Sequence, residues 1–385
     1  MTQFPPQYDD QSHRGDPQAY SDPQVYGVRR RKRQRRPLKL IATLALVASG
    51  VTAWRLGVFS DNGEPITYAG ADNTARPGGR PEQQTDVDPN VQFPTGPAAT
   101  FKRIARLDDG TEIGKTTLAG PKSGFTGDVW VWTPKEYKDP AYAKSAFPVL
   151  IALPGSYGYP VNYWSGTDLG LQKAVSDGAA AGRSHPFIVV MPVLNPGNKG
   201  PFHDGSDIPG QPKMGTWMSD DVPDLVRRNF RTYTSRDGWA FMGSSTGAFV
   251  GLKQVLKHPS RFKAVIASGG MTTPDSPLWK GHQKEMDENN PEKLAEQHIA
   301  QHGPDVHLNF QIGAKEDPAG LREFVRKYGK GPIKATLRTI DNGGHNGRDY
   351  VRGMREGSLE WISKALLGPK PRPSQGASTA ETGYR

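Results

Sequence analysis

A pentapeptide with a serine at its centre carries the clearest chemical signal in this sequence. Gly243–Gly247 reads G-S-S-T-G and fits the pattern G-x-S-x-G, between the apolar run Trp239–Met242 and a helix-like segment, Ala248–Leu256. A tight turn from a strand into a helix lifts the serine hydroxyl to a helix N-terminus, where backbone N–H groups stabilise a developing negative charge. The pattern predicts that Ser245 is a nucleophile; the competing interpretation is a helix N-cap.

A serine hydroxyl needs a neighbouring base to become a good nucleophile. Of the 9 histidines, His258, His298 and His302 lie in or near predicted helices, where a solvated surface histidine is expected. His345 differs because it lies in the glycine-rich segment Asp341–Gly347, directly after the apolar run Ile333–Ile340. A loop at the carboxyl end of a strand can carry a base over the sheet, so we predict that His345 is the base. The alternative is a loop histidine without a partner.

A catalytic histidine also needs an acid that holds the imidazole in the correct tautomer. The apolar run His307–Ile312 is followed by a loop with two carboxylates, placed between the serine and the histidine in the order serine, acid, histidine. Asp317 or Glu316 could serve. We favour Asp317 because Pro318 directly after it suits a strand end that turns into a helix. The other carboxylate would pair with Lys315 or cap the following helix.

An oxyanion hole requires two backbone N–H groups. The N–H group of Thr246, directly after the predicted nucleophile, is one candidate. The second comes from the turn after the apolar run Pro148–Leu153, where Ser156 or Tyr157 can present its backbone N–H. The competing interpretation of this turn is a simple tight connection.

Apolar runs alternate with helix-like segments along the rest of the chain. Several runs are continuously hydrophobic, which is typical of strands buried on both faces of a parallel sheet. Strands are predicted at Asp128–Thr133, Pro148–Leu153, Phe187–Pro192, Trp239–Met242, Lys263–Ser268, His307–Ile312 and Ile333–Ile340. Helices are predicted at Leu169–Ala181, Ser219–Asn229, Thr246–Lys257, Pro291–Gln301, Ala319–Lys327 and Tyr350–Leu367. The sequence therefore predicts an α/β fold with a mainly parallel sheet, helices on both faces and reactive groups at the carboxyl ends of the strands.

From about Phe125 to Leu367 the chain resembles the putative-esterase family of α/β-hydrolases. This family includes S-formylglutathione hydrolases, feruloyl esterases, enterochelin esterases and the mycobacterial mycolyltransferases. The matching segments are Val129–Pro134, Phe147–Leu150 with Leu153–Gly155, Gly215–Trp217 before an acidic helix, Gly243–Gly247 and Gly343–Asn346. The resemblance implies an α/β-hydrolase fold and a serine-based esterase activity.

The same resemblance implies roles for individual residues. Ser245 would be the nucleophile, His345 the base and Asp317 the orienting acid, with Ser156 and Thr246 supplying the oxyanion amides. The chain departs from the family pattern at two points: Pro154-Gly155 replaces the usual His-Gly of the oxyanion loop, and Glu316 crowds the loop of the acid.

The N-terminal part of the chain has a different character. Of the 8 residues from Arg29 to Arg36, 7 are Lys or Arg, and without them the net charge of +10 falls to about +3. An apolar segment, residues 38–59, follows directly. We predict a transmembrane signal anchor with the N-terminus in the cytoplasm and the rest of the chain outside. A cleaved signal peptide would export the same part, and a DNA-binding arm is disfavoured by the hydrophobic segment.

The 385 residues are thus interpreted as five parts. Residues 1–37 are a disordered basic cytoplasmic tail, 38–59 the anchor, 60–100 a flexible linker, 101–367 the hydrolase domain and 368–385 a second disordered tail. The absence of cysteine from the sequence excludes disulfides, a cysteine nucleophile and a thiolate zinc site. No metal, cofactor or nucleic-acid partner is expected.

Three functions fit these observations. The first is an exported serine hydrolase that cleaves a small-molecule, lipid or sugar ester through an acyl-serine intermediate. The second is an acyltransferase that passes the acyl group to a cell-envelope sugar, as mycolyltransferases do. The third is an inactive hydrolase fold that serves as an envelope binding module, which the order of serine, acid and histidine disfavours.

Overall fold

The computed structural model describes residues 63–66, 68, 88–156, 161–197 and 200–372. The chain divides into the units Met1–Phe59 and Ser60–Arg385, and every described residue belongs to the second unit. The predicted cytoplasmic tail and membrane anchor therefore lie outside the described residues. Within the described part, none of the helices has the length and apolar character needed to cross a membrane.

Twelve strands are present among the described residues, and ten of them form one sheet. In chain order, β1 to β12 are Pro65–Ile66, Val91–Gln92, Phe101–Arg106, Glu112–Ala119, Thr126–Trp132, Val149–Leu153, Ile188–Pro192, Thr232–Tyr233, Trp239–Ser244, Ala264–Ser268, Val306–Gly313 and Ile333–Ile340. The order in the sheet is β1-β3-β4-β5-β7-β6-β9-β10-β11-β12, and β2 pairs separately with β8.

The six strands from β7 to β12 in this order run parallel, as the continuous apolar runs predict. Every residue of β6, β7, β9 and β10 is buried, because helices cover both faces of the sheet there. The last strand, β12, is buried at its two ends and alternates towards solvent between them, as an edge strand does. The predicted mainly parallel sheet is confirmed.

The other edge of the sheet is antiparallel, and the sequence analysis did not predict its outer strands. The strands β1, β3, β4 and β5 pair antiparallel, and β5 joins them to β7. The prediction of residues 60–100 as a flexible linker is wrong at β1 and β2, which pair with β3 and β8. These two-residue strands have no periodicity to detect. Tyr68, next to β1, is buried and donates a hydrogen bond of 2.9 Å to the carbonyl of Val131.

The start of the predicted C-terminal tail is also ordered on the domain. The carbonyl of Gly368 accepts a hydrogen bond of 2.5 Å from the hydroxyl of Tyr233, and the N–H of Arg372 donates to the carbonyl of Ala141 at 2.8 Å. The prediction of disorder is therefore wrong for residues 368–372. Residues 373–385 lie outside the described residues.

Helices pack on both faces of the sheet, as predicted. In chain order, α1 to α9 are Leu171–Ala180, Met214–Thr216, Val222–Asn229, Thr246–Lys257, Gln283–Asp287, Pro291–Ala300, Ala319–Tyr328, Gly347–Gly353 and Leu359–Ala365. One buried apolar cluster joins one sheet face to α3, α4, α6 and α7, and a second joins the opposite face to α1, α8 and α9. The predicted single helix Tyr350–Leu367 is instead two helices, since a π-helical turn with Gly357 at a φ of 153° separates α8 from α9.

Candidate active site

Ser245 occupies a strained turn between β9 and α4. It has a φ of 53° and a ψ of −123°, a conformation that non-glycine residues rarely adopt. The N–H of Ser245 donates to the carbonyl of Ser268 at 2.8 Å, and its carbonyl accepts from Ala248 and Phe249 at the start of the helix. The side chain stays partly exposed while its neighbours in the turn are buried. The surrounding backbone thus holds this serine above the sheet.

Glycines flank the serine because the backbone approaches too closely for any side chain. A Cβ atom on Gly243 would overlap the backbone of Gly247, and one on Gly247 would overlap the carbonyls of Leu153 and Pro154 at the end of β6. The turn is therefore packed against the neighbouring strand end. This is the strand–turn–helix arrangement that gives the G-x-S-x-G pattern its chemical meaning.

His345 and Glu316 form a hydrogen-bonded pair beyond the ends of β12 and β11. The Nδ1 atom of His345 lies 2.6 Å from Oε2 of Glu316. The side chain of the histidine is 52% exposed, whereas that of the glutamate is only 13% exposed. Because the carboxylate accepts a hydrogen bond from an N–H at Nδ1, the Nε2 atom remains available as a base.

The expectation that Asp317 is the carboxylate beside His345 is wrong. The chain turns sharply after β11, where the N–H of Glu316 donates to the carbonyl of Gly313 at 2.9 Å. This turn directs Glu316 back to the histidine loop. Asp317 is exposed instead, and its Oδ1 atom accepts a hydrogen bond of 2.9 Å from the N–H of Ala319, the first residue of α7.

The environment of Glu316 keeps its carboxyl group ionised. Burial alone would raise the pKa of this group, but hydrogen bonds from His345, from the N–H of Gly313 and from Tyr350 outweigh it and lower the pKa below the ordinary value. The N–H of Gly313 lies 2.7 Å from Oε1. A negative carboxylate can then stabilise the positive imidazolium that forms when the histidine takes up a proton.

The two predicted oxyanion residues lie on the two chain segments that meet at Ser245. Thr246 is the first residue of α4, where N–H groups have no partner inside the helix. Gly155 approaches the serine so closely that a Cβ on it would lie 3.4 Å from the serine Cβ, which brings the neighbouring Ser156 to the site. The N–H of Gly155 itself donates to the hydroxyl of Tyr163 at 2.6 Å. The oxyanion roles of Ser156 and Thr246 stay predictions, and Tyr157 lies outside the described residues.

Three side chains that the sequence analysis did not select support this site. Tyr350 contacts both Glu316 and His345. Tyr163 also contacts Ser244 through the two hydroxyl groups. Asn195 is fully buried and donates to the carbonyl of Ser156 at 3.0 Å. Their positions next to predicted strand ends and loops were the only available signal. Tyr350 is five residues from His345, but the contacts with Glu316, Ser244 and Ser156 join distant parts of the chain.

The described residues contain no group of three or more His, Cys, Asp or Glu side chains that could hold a metal ion. The candidate residues are a serine, a histidine with its carboxylate, and the predicted backbone N–H donors. Such a set can activate a hydroxyl for attack on a carbonyl carbon and can stabilise the resulting oxyanion.

Comparisons with known proteins identify a family and a fold for this chain. The family model described as "Putative esterase" matches residues 128–336. An uncharacterized protein of Corynebacterium glutamicum is 26% identical over 277 residues, which is 66% of this chain and 63% of that protein, so the chain spans less than two thirds of this relative.

Two solved structures share the fold. A ferulic acid esterase superimposes with a TM-score of 0.55 and 18% identity, covering 66% of this chain and 98% of that protein. An S-formylglutathione hydrolase from Agrobacterium tumefaciens gives a TM-score of 0.53 and 18% identity, covering 69% of this chain and 99% of that protein. The described domain thus has an α/β-hydrolase-like fold.

Proposed function

The chain belongs to the putative esterase family, and from that premise we propose that it is a serine hydrolase that cleaves carboxylic esters through an acyl-serine intermediate. Family membership points to ester hydrolysis in general. The finer assignment depends on the candidate site, in which Ser245 is the nucleophile, His345 the base and Glu316 the orienting acid.

The reaction divides into two steps that use the same groups. In the first step the Nε2 atom of His345 takes the hydroxyl proton of Ser245, and the serine oxygen attacks the carbonyl carbon of the ester. The histidine then gives this proton to the departing alcohol, which leaves an acyl-serine. In the second step the histidine takes a proton from water, the resulting hydroxide attacks the acyl group, and the serine recovers its proton as the acid is released.

Two further groups have defined roles in this proposal. Glu316 remains ionised throughout and stabilises the imidazolium form of His345. The N–H groups of Thr246 and Ser156 would stabilise the negative charge on the carbonyl oxygen during each attack. Removing one such donor typically lowers kcat by about 10²- to 10³-fold.

The observation that carries the proposal is the backbone strain at Ser245. A φ of 53° at a serine costs about 1–3 kcal/mol and persists only where the surrounding structure enforces it. A helix N-cap does not need this conformation, because capping residues normally adopt an extended backbone. Ser245 follows β9, and the carboxylate–histidine pair follows β11 and β12 at the same carboxyl edge of the parallel sheet. The strain at this edge supports a nucleophile over a structural serine.

We also propose that the domain is exported. The basic run Arg29–Arg36 and the apolar segment that follows it support an orientation with the N-terminus in the cytoplasm and the domain outside, through the positive-inside rule.

One experiment tests the nucleophile and the orientation together. A fluorophosphonate probe should label the full-length wild-type protein and a Ser176→Ala control on α1, but not Ser245→Ala, whose kcat on p-nitrophenyl esters should fall by about 10³-fold or more. A membrane-impermeant form of the probe should label the wild-type protein on intact cells. Labelling that survives in Ser245→Ala would overturn the nucleophile, and labelling that appears only after cell lysis would overturn the export.

A further inference from the structure

The Tyr350 hydroxyl is a third group at the His345–Glu316 pair, and the proposed reaction does not use it. It lies 3.1 Å from Oε1 and 3.0 Å from Oε2 of Glu316, and 2.8 Å from Nδ1 of His345. Only 1% of the tyrosine is exposed. A buried phenol in contact with both members of an acid–base pair can donate a hydrogen bond to one and accept a hydrogen bond from the other.

Residues on and after two neighbouring strands hold Tyr350 in this position. The backbone carbonyl of Tyr350 accepts a hydrogen bond of 3.0 Å from the side-chain amide of Gln311 on β11. Gly269, directly after β10, has a φ of 56°, and a Cβ atom there would overlap the Tyr350 hydroxyl and lie 2.9 Å from Oε2 of Glu316. The chain therefore uses a glycine in a left-handed conformation to leave room for the tyrosine and the carboxylate together.

The protonation state of the phenol follows from its neighbours. Burial, and then the negative charge of Glu316, raise the pKa of Tyr350 above its ordinary value. Tyr163 and Asp349 act in the same direction. The hydroxyl thus keeps its proton at neutral pH and donates a hydrogen bond to Glu316, while its oxygen can accept a hydrogen bond from the N–H at Nδ1 of His345.

We propose that Tyr350 is a positioning residue that acts through Glu316 and fixes the carboxylate and the Nδ1–H tautomer of His345 in one arrangement. This inference rests on the proposed function. The phenol gives up no proton during the reaction. It limits rotation of the carboxylate and offers Nδ1–H a second acceptor, so that the imidazolium is stabilised without rearrangement when it forms.

Removal of the hydroxyl should slow the chemical step more than substrate binding. On one p-nitrophenyl ester, Tyr350→Phe should lower kcat by about 10- to 100-fold, the range expected for a lost hydrogen bond to a charged group, with KM changed by about twofold or less. The matched control is Tyr68→Phe, which removes a buried tyrosine hydrogen bond to Val131 far from the site and should change kcat by about twofold or less.

A double-mutant cycle separates action through Glu316 from a general structural role. In a Glu316→Gln background, Tyr350→Phe should lower kcat by only about threefold or less, because the charged partner of the hydroxyl is already absent. Equal losses in both backgrounds, or no loss in the wild-type background, would overturn the inference. The proton resonance of the imidazole N–H at Nδ1 should also move in Tyr350→Phe and remain in place in Tyr68→Phe.

The rate of Ser245 labelling by the fluorophosphonate probe distinguishes this inference from the function on which it rests. If the wild-type protein is not labelled, the proposed function fails and the inference fails with it. If the wild-type protein is labelled and Tyr350→Phe is labelled at the same rate, the function stands and only the role of Tyr350 is overturned. The expected result is labelling in both proteins, slower in the variant by the same factor as kcat.

Discussion

Two carboxylates in this domain have similar partners and very different surroundings. Glu316 accepts hydrogen bonds from a histidine and from the hydroxyl of Tyr350. Asp204, in the segment between β7 and α2, lies 3.8 Å from the Nζ atom of Lys253 on α4 and accepts a hydrogen bond of 2.6 Å from the indole N–H of Trp279. Each is therefore a carboxylate held between a basic side chain and an aromatic donor.

The difference between them is the access of solvent to the basic partner. The side chain of His345 is half exposed, whereas Lys253 is 1% exposed and Asp204 is fully buried. The Nζ atom of Lys253 also donates to the backbone carbonyl of Asp204 at 2.7 Å and to the hydroxyl of Ser206. The first pair can exchange protons with a substrate, and the second cannot.

Energetics give the two pairs opposite expected roles. A buried ion pair contributes little net stability, but removal of one partner leaves an unpaired buried charge and costs about 3–5 kcal/mol. The Asp204–Lys253 pair should therefore be needed for folding and dispensable for chemistry. The Glu316–His345 pair should show the reverse, because its solvent-accessible histidine can lose a partner at small cost to the fold.

Glu316→Gln should produce the largest effect on rate. An amide at this position no longer favours the Nδ1–H tautomer of His345 and cannot stabilise the imidazolium, so kcat should fall by up to about 10⁴-fold. The free energy of unfolding should change by about 1 kcal/mol or less. Steady-state kinetics on one ester and chemical denaturation of the same samples check both values.

The matched control for this variant is Asp317→Asn on the adjacent residue. Asp317 is exposed and accepts a hydrogen bond from the N–H of Ala319, so the kcat of the variant should stay within about twofold of the wild-type value. A large loss in Asp317→Asn with a small loss in Glu316→Gln would contradict the assignment of the acid and would restore the expectation from sequence.

The one-residue error about this acid shows where sequence reasoning is limited. The seven predicted strands are all present, and six of them belong to the parallel part of the sheet, where burial favours continuous apolar runs. Which carboxylate in the loop after β11 faces the histidine depends instead on the turn closed by Gly313 and Glu316. It also depends on a close backbone approach between Gly313 and Gly343. Neither feature leaves a periodic pattern in the sequence, so neither could be predicted from it.

Contacts between residues far apart in the chain could not be predicted from the sequence for the same reason. Tyr350 is predictable as a helical residue, but its contact with Glu316 joins residues 34 positions apart. Lys253 and Asp204 are 49 positions apart, and a lysine within an apolar helix reads as a surface residue until its partner is known. The antiparallel edge strands were missed because their exposed, charged alternation resembles a polar loop.

Lys253→Met should lower the free energy of unfolding by about 3–5 kcal/mol, because Asp204 is left buried without its cationic partner. Activity per folded molecule should remain within about threefold of the wild-type value. Lys257→Met is the matched control on the same helix: this residue is exposed and loses one hydrogen bond, of 2.7 Å to the side chain of Asn289, so the free energy of unfolding should change by only about 1 kcal/mol. Equal stability of the two variants would contradict the structural role of the buried pair.

The pH dependence of stability offers a second measurement on the same variant. Burial lowers the pKa of Lys253 from 10.5 to about 8, despite the attraction of Asp204. Between these two values the unfolded chain binds more protons at this residue than the folded chain, so the contribution of Lys253 to the free energy of unfolding rises with pH. This rise should be absent in Lys253→Met. Denaturation of both proteins between about pH 8 and 10.5 measures the difference.

Asn195 joins the two regions and should give the smallest effect on each. Its side chain donates to the carbonyl of Ser156 at 3.0 Å and accepts from the N–H of His203, next to Asp204, at 2.7 Å. Asn195→Ala should therefore lower kcat by about tenfold, because the turn that carries Ser156, the proposed oxyanion donor, loses its support. It should also lower the free energy of unfolding by about 1–3 kcal/mol. Asn309→Ala, a matched control, removes hydrogen bonds of 3.2 Å and 3.1 Å from another buried amide and should cost similar stability with kcat unchanged. If both variants lose kcat equally, the effect of Asn195 belongs to the fold as a whole and Ser156 is not held for the reaction.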